Sequence, residues 1–320
     1  MRGVSGTRSF FYPGRVPADL LAPAVLAGED WTARAAAHEA RVDRWTAPHL
    51  ERRRRRETHP VHDFLFTYYS QPPGRLRRWH PGPGLALAPS RSGPAPHAHR
   101  RWYASAADGT VFLDVPGFLA ERADTVRFVR RLLAATASRP AFGGCFGLHE
   151  WAMVYRDRET RHAVPLRLGR DGTDSVVEAH QIRCTHFDAF RFFTPPAVAR
   201  NRLQPTRETQ PDLEQPGCLH AGMDLYKWAY KLSPATPGEL VADCFELAAE
   251  IRELDMRASP YDLREHGFRP VAIETAEGKA EYVAAQRRFA ERGAVLRERL
   301  IDLCDRLLDG SPAGRRTVAG

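Results

Sequence analysis

Between Leu240 and Leu254, apolar side chains return every three or four residues: Leu240, Cys244, Leu247, Ala248, Ile251 and Leu254. Glu239, Asp243, Glu246, Glu250 and Glu253 take the opposite side. That period is helical and excludes a strand, whose side chains alternate every second residue. Thr236-Pro237-Gly238-Glu239 reads as a capping box with proline at the first helical position. A second long helix is expected over 277–308, with Phe289, Leu296, Leu300, Leu303 and Leu307 along its seam. Neither stripe can bury itself, so both need helical partners, and the acids read as a solvated face. Asp255 falls beside the apolar stripe and reads as a buried partner for an arginine, with Arg257 and Arg264 near in sequence.

Upstream, residues 31–56 read as a helix ending in the basic run Arg52 to Arg56, and 118–137 as another helix. The Pro- and Gly-rich stretch 81–96 reads as a loop, and 76–79 as a turn of helix. Asp108-Gly109, between 102–106 and 110–114, is a hairpin signal. Asp171-Gly172, between 164–168 and 175–186, suggests a second hairpin. The expected fold class is mainly α (α+β): a helical body with long C-terminal helices and small antiparallel β hairpins. The expected organisation is an N-terminal helical arm over 1–58, a main domain over 59–309 and a disordered tail over 310–320.

The chain of 320 residues can bury a substantial core, and its 43% apolar fraction argues against general disorder. A formal charge of +8 favours polyanions only mildly, since nearly all of the excess is arginine in an alanine-rich sequence. The five cysteines form no Cys-x-x-Cys pair, which excludes the common zinc-finger spacings and a disulfide framework. The N-terminus lacks an apolar signal segment, and no apolar run reaches the roughly 20 residues needed to span a bilayer. These features lead to the expectation of a cytoplasmic protein with no membrane partner.

His220, Asp224, Lys227 and Lys231 share one stripe if their segment is helical. The only other lysine is Lys279, although the chain has 47 basic residues. Lysine can be desolvated and serve as a base or Schiff-base nucleophile, which arginine cannot. Asp224 to Lys227 is equally an ordinary i,i+3 ion pair. Three further clusters pair histidine with a carboxylate among aromatics. They are His59, His62 and Asp63; His149 and Glu150 behind a Gly-rich loop; and His186 and Asp188 at the end of an expected strand.

Two chemistries suit these residues. A metal site would draw on His149, His186 and His220 with Glu150, Asp188 or Asp224, holding zinc or iron. The chain has neither His-Glu-x-x-His nor a repeated Glu-x-x-His. A base-excision site would clamp an extruded base between Trp151, Trp228, Tyr226 and Tyr230. Asp224 or Glu150 would be its acid and Lys227 or Lys231 its amine, with no cofactor. A noncatalytic nucleic-acid-binding protein is the third reading, with the arginines contacting phosphates.

Five segments carry a family resemblance. They are His-Pro-Val-His-Asp-Phe-Leu-Phe-Thr-Tyr-Tyr-Ser (59–70), Cys-Phe-Gly-Leu-His-Glu-Trp-Ala-Met-Val-Tyr (145–155), Thr-His-Phe-Asp-Ala-Phe-Arg-Phe-Phe-Thr (185–194), Gly-Met-Asp-Leu-Tyr-Lys-Trp-Ala-Tyr-Lys (222–231) and Asp-Met-Arg-Ala-Ser-Pro-Tyr-Asp (255–262). Together they resemble an actinobacterial family commonly named 3-methyladenine DNA glycosylase, over about residues 59 to 265. The resemblance implies removal of an alkylated purine from DNA, with DNA as partner. It transfers no catalytic residue, because neither a helix-hairpin-helix motif nor an array of HEAT-like repeats is present. Base excision is therefore the leading expectation, and a metal-dependent enzyme acting on a small molecule is the alternative. The sequence leaves the oligomeric state open.

Overall fold

A computed structural model describes residues 23–157 and 163–309. The tail expected over 310–320 lies outside the described residues. Strand β1 (Ala24–Leu26) leads into the long helix α1 (Gly28–Arg55), followed by short helices α2 (Phe64–Tyr68) and α3 (Pro73–Leu76). Strands β2 (Leu85–Leu87), β3 (Tyr103–Ser105) and β4 (Val111–Leu113) precede α4 (Val115–Ala137). Next come α5 (Leu148–Ala152), α6 (Gly169–Ala179), α7 (Phe187–Phe190), α8 (Pro195–Val198) and α9 (Gln210–Leu213). The chain closes with α10 (Leu219–Lys231), α11 (Gly238–Arg257) and α12 (Ala276–Leu308). The fold is mainly α with one small sheet, as the sequence patterns imply.

The core lies where α10, α11 and α12 pack on one another and α4 runs along α12. All six apolar residues of the α11 stripe are buried, as are Leu296, Leu300, Leu303 and Leu307 of α12. Full burial of each such leucine contributes about 1.5–3 kcal/mol. The acidic face of α11 is not simply solvated. Arg41 of α1 donates through Nε (2.8 Å) and Nη2 (2.6 Å) to Glu246, and Arg34 donates to Glu239. On the other side, Arg292 and Arg299 of α12 pair with Glu250 and Asp243. Pairs this exposed add little stability, about 0–1 kcal/mol each. Arranged along one acidic face, they orient α1 and α12 about α11.

The four strands are ordered β1-β2-β4-β3, with β1 parallel to β2 and the other pairings antiparallel. The Asp108-Gly109 hairpin is present, and Gly109 takes the positive φ of 82° that the turn requires. β2 is a correction: it lies inside the stretch read as a loop, and Ala86 and Leu87 are buried there. The second hairpin is also corrected. Residues 169–179 form α6, which buries Thr173, Val176 and Val177 at helical spacing, so this packing overrides the local Asp-Gly signal. No capping box forms at α11. Thr236 is buried and donates its hydroxyl to the Ala229 carbonyl (2.8 Å), while Glu239 accepts from Arg34 and from Trp79 Nε1. No helix of the described residues is long and apolar enough to cross a membrane.

Candidate metal centre

Several elements converge beneath α10. Gly147, at φ 71°, turns the chain into α5, which delivers His149 and Glu150. His186 sits at the N-terminal boundary of α7, and Glu214 just beyond α9. α10 supplies His220, Asp224 and Lys227; α11 supplies Arg252 and Asp255. α10 and α11 are in close contact at Gly222, where a Cβ would stand 2.8 Å from Ile251 Cδ1.

Two groups of metal-type donors result: His149, Glu150, His220 and Asp255, and His186, Glu214 and Asp224. All seven side chains are buried, and within each group the donor atoms lie within 4.8 Å of one another. Three imidazoles join the groups. The His149 and His220 rings meet edge-on at 4.4 Å, and His220 lies 5.4 Å from His186.

In the first group one hydrogen bond joins two members, and Arg252, from outside it, serves both carboxyls. His149 Nε2 and Asp255 Oδ1 are 2.8 Å apart, and Arg252 Nη1 donates to Glu150 (3.0 Å) and Asp255 (3.4 Å). Arg252 also covers the Phe64 ring, 3.8 Å from its centroid. The second group is organised differently. His186 Nε2 is 3.2 Å from Glu214 Oε1 and 3.3 Å from Asp224 Oδ2, yet it makes no aligned hydrogen bond to either oxygen. Surrounding groups fix those carboxylates. Tyr69 donates to Asp224 (2.8 Å), Gln210 to Glu214 (2.6 Å), and Lys227 to Asp224 (2.5 Å) and Asp188 (2.9 Å).

Burial and opposing charges pull the titrations apart. Burial pushes the Glu150 carboxyl up, with Arg252 opposing, and burial likewise raises Glu214. Burial would raise Asp224 too, but Lys227 and His186 outweigh it and hold the carboxyl well below its usual range. Burial alone would lower His149 and His186, yet Asp255 raises the first, and Glu214 and Asp224 raise the second. Burial and the neighbouring His149 push His220 far down, leaving it a neutral imidazole. Among the described residues, Arg252 and Lys227 are the permanently charged groups that form ion pairs with these four carboxyls, and the buried Arg297 also feels the charge of Glu214. The upward shifts of Glu150, Glu214, His149 and His186 all favour their protonated forms. A divalent cation would displace such protons and take over their role.

The residues singled out from the sequence divide clearly. His149, Glu150, His186, His220, Asp224 and Lys227 come together. Lys231 stands apart at the exposed end of α10, and its carbonyl accepts from Arg122. Asp188 enters through Lys227. His59, His62 and Asp63 do not join the site, because Asp63 is committed to His49 (2.8 Å) and Arg52 of α1. The expected base-clamp rings are mostly core. Trp151 and Tyr226 are fully buried, Trp151 donates to the Ala258 carbonyl (2.9 Å), and Trp228 packs edge-on against Phe128. Tyr230 alone of the four is half-exposed beside a cleft.

Glu214 escaped notice in the sequence because it lies in a Pro-rich connector with no periodic pattern. Arg252 was legible: it precedes Asp255 by one helical turn on the buried side of α11, and it replaces Arg257 and Arg264 as that aspartate's arginine partner. No protein-family model, curated protein or solved structure matches the chain.

Proposed function

We propose that the protein is a metal-dependent enzyme acting on a small molecule, with His186, Glu214 and Asp224 as its primary metal ligands. One observation carries this reading: a buried imidazole nitrogen stands 3.2–3.3 Å from two carboxylate oxygens without an aligned hydrogen bond to either. Donors held at about 2.0–2.2 Å around a tetrahedral ion stand roughly that far apart. The mixed imidazole and carboxylate set suits zinc or iron and disfavours copper(I). Lys227, Tyr69 and Gln210 serve as the outer hydrogen-bonding layer that orients such ligands.

His149, His220, Glu150 and Asp255 form the adjoining half of the centre, either as ligands of a second ion or as acid and base groups beside the first. His149 also borders a small cavity with Cys145, Thr185, Gln215 and Tyr282, of about 10 Å³, which is room for about one water. Base excision, which the family resemblance implies, asks instead for open aromatic faces and needs no metal. Metal analysis of purified protein separates the two readings. Zinc or iron near one equivalent or more, lost in His186→Ala and Asp224→Asn but retained in the exposed Lys231→Ala, supports the metal reading. Metal-free protein that neither binds nor is thermally stabilised by added zinc or ferrous iron contradicts it.

A further inference from the structure

One cleft carries positive charge with no acid in its wall. It has a volume of about 470 Å³ and is lined by Arg75, Arg78, Arg100, Arg101, His99 and Tyr230, among others. Elsewhere the arginines of this fold are mostly paired. Arg77, between two of the cleft residues in sequence, reaches Glu39 and Asp43. Arg101 pairs with Glu121 at the rim. Arg75, Arg78 and Arg100 have no carboxylate partner among the described residues.

Their crowding acts on Arg78. Burial, followed by the charges of Arg100 and Arg75, lowers the pKa of the half-buried Arg78. The wall behind them is fixed and neutral. His80 Nδ1 and the Tyr103 hydroxyl are 2.9 Å apart, and His97 Nε2 bonds to the Trp79 carbonyl at 2.9 Å. Burial holds His80 uncharged down to about pH 3, so it neither adds charge nor neutralises the arginines. Three like charges share this cleft with no carboxylate among them, a field that favours a multivalent anion.

We propose that this cleft is a binding site for the di- or triphosphate group of a small molecule, clamped by Arg78 and Arg100 with Arg75 at the rim. Guanidinium forks pair two at a time with phosphate oxygens, and three unpaired cations match a multivalent group better than a single carboxylate. This site stands on residues separate from the metal centre, so either can fail alone.

The test is calorimetric titration of the full chain with inorganic pyrophosphate, ATP, adenosine and a short DNA duplex. Pyrophosphate and ATP are expected to bind and adenosine not to. Arg78→Gln and Arg100→Gln should each weaken both ligands roughly tenfold or more. Arg54→Gln, which alters a residue paired with Glu51 on α1, should leave binding unchanged. Arg75→Gln, at an exposed position, supplies a variant that misfolding does not confound, and a several-fold loss is expected there. Equal affinity in wild type and all three cleft variants overturns the proposal. So does binding of the duplex alone that excess pyrophosphate cannot displace, which would assign the arginines to a nucleic-acid backbone.

Discussion

Arg252→Met isolates the electrostatics of the buried centre. The arginine is 1% exposed, its Nη1 serves both Glu150 and Asp255, and its guanidinium lies over Phe64. Methionine keeps much of the apolar stem but leaves two buried carboxyls without their shared cation. Breaking such a pair costs about 3–5 kcal/mol. Asp255 retains His149, and Glu150 can take up a proton because burial already raises its pKa, so the lower end, about 3 kcal/mol, is expected at neutral pH. The sign of the pH dependence follows. A carboxyl whose folded pKa lies above its unfolded value stabilises the fold at low pH and loses that contribution as pH rises. The deficit of Arg252→Met should therefore grow from pH 5 to pH 8. Adding Glu150→Gln should recover much of the loss, since no buried carboxylate then lacks its partner. Urea unfolding of the wild type, both single variants and the double variant closes the cycle. A cost below about 1 kcal/mol, or no rescue by Glu150→Gln, would mean that the buried carboxyls do not depend on this cation.

Lys227→Ala removes the cation that orients Asp224 and should weaken metal binding about 10- to 100-fold, read by competition with a chromophoric chelator. Burial lowers His80 to about 3 and His59 to about 4, so the unfolded chain takes up protons that the fold refuses. The contribution of these two histidines to stability should fall as pH drops from about 6.5 towards 4, and His80→Gln should remove its share of that slope in a series of thermal melts. Gly278→Ala should cost several kcal/mol, on the order of 2–4, because its Cβ would collide with the Ala272 carbonyl; chemical denaturation measures this, and a loss under about 1 kcal/mol would contradict the packing.

Much of this arrangement was legible residue by residue. The α11 and α12 stripes named their own buried faces, and the spacing of His149 with Glu150 and of His220 with Asp224 pointed to histidines gathered with carboxylates. Convergence was not legible, because it depends on Glu214 and His186 arriving from irregular connectors that carry no period. The aromatic residues illustrate the converse limit. Trp151, Tyr226 and Trp228 sit beside the polar residues in sequence, but exposure is a tertiary property, and packing turned all three into core. Val176 and Val177 misled for a related reason: β-branched residues after Asp-Gly suit a strand locally, while the buried trio with Thr173 fits only a helix.

Whether the buried centre holds a metal can be read from anomalous diffraction by crystals of the purified protein, recorded at the zinc and iron edges. The expected result is a peak bonded to His186 Nε2, Glu214 and Asp224 at about 2.0–2.3 Å. A map without metal, in which His186 is hydrogen-bonded directly to one carboxylate even after soaking in either ion, would contradict the proposed centre.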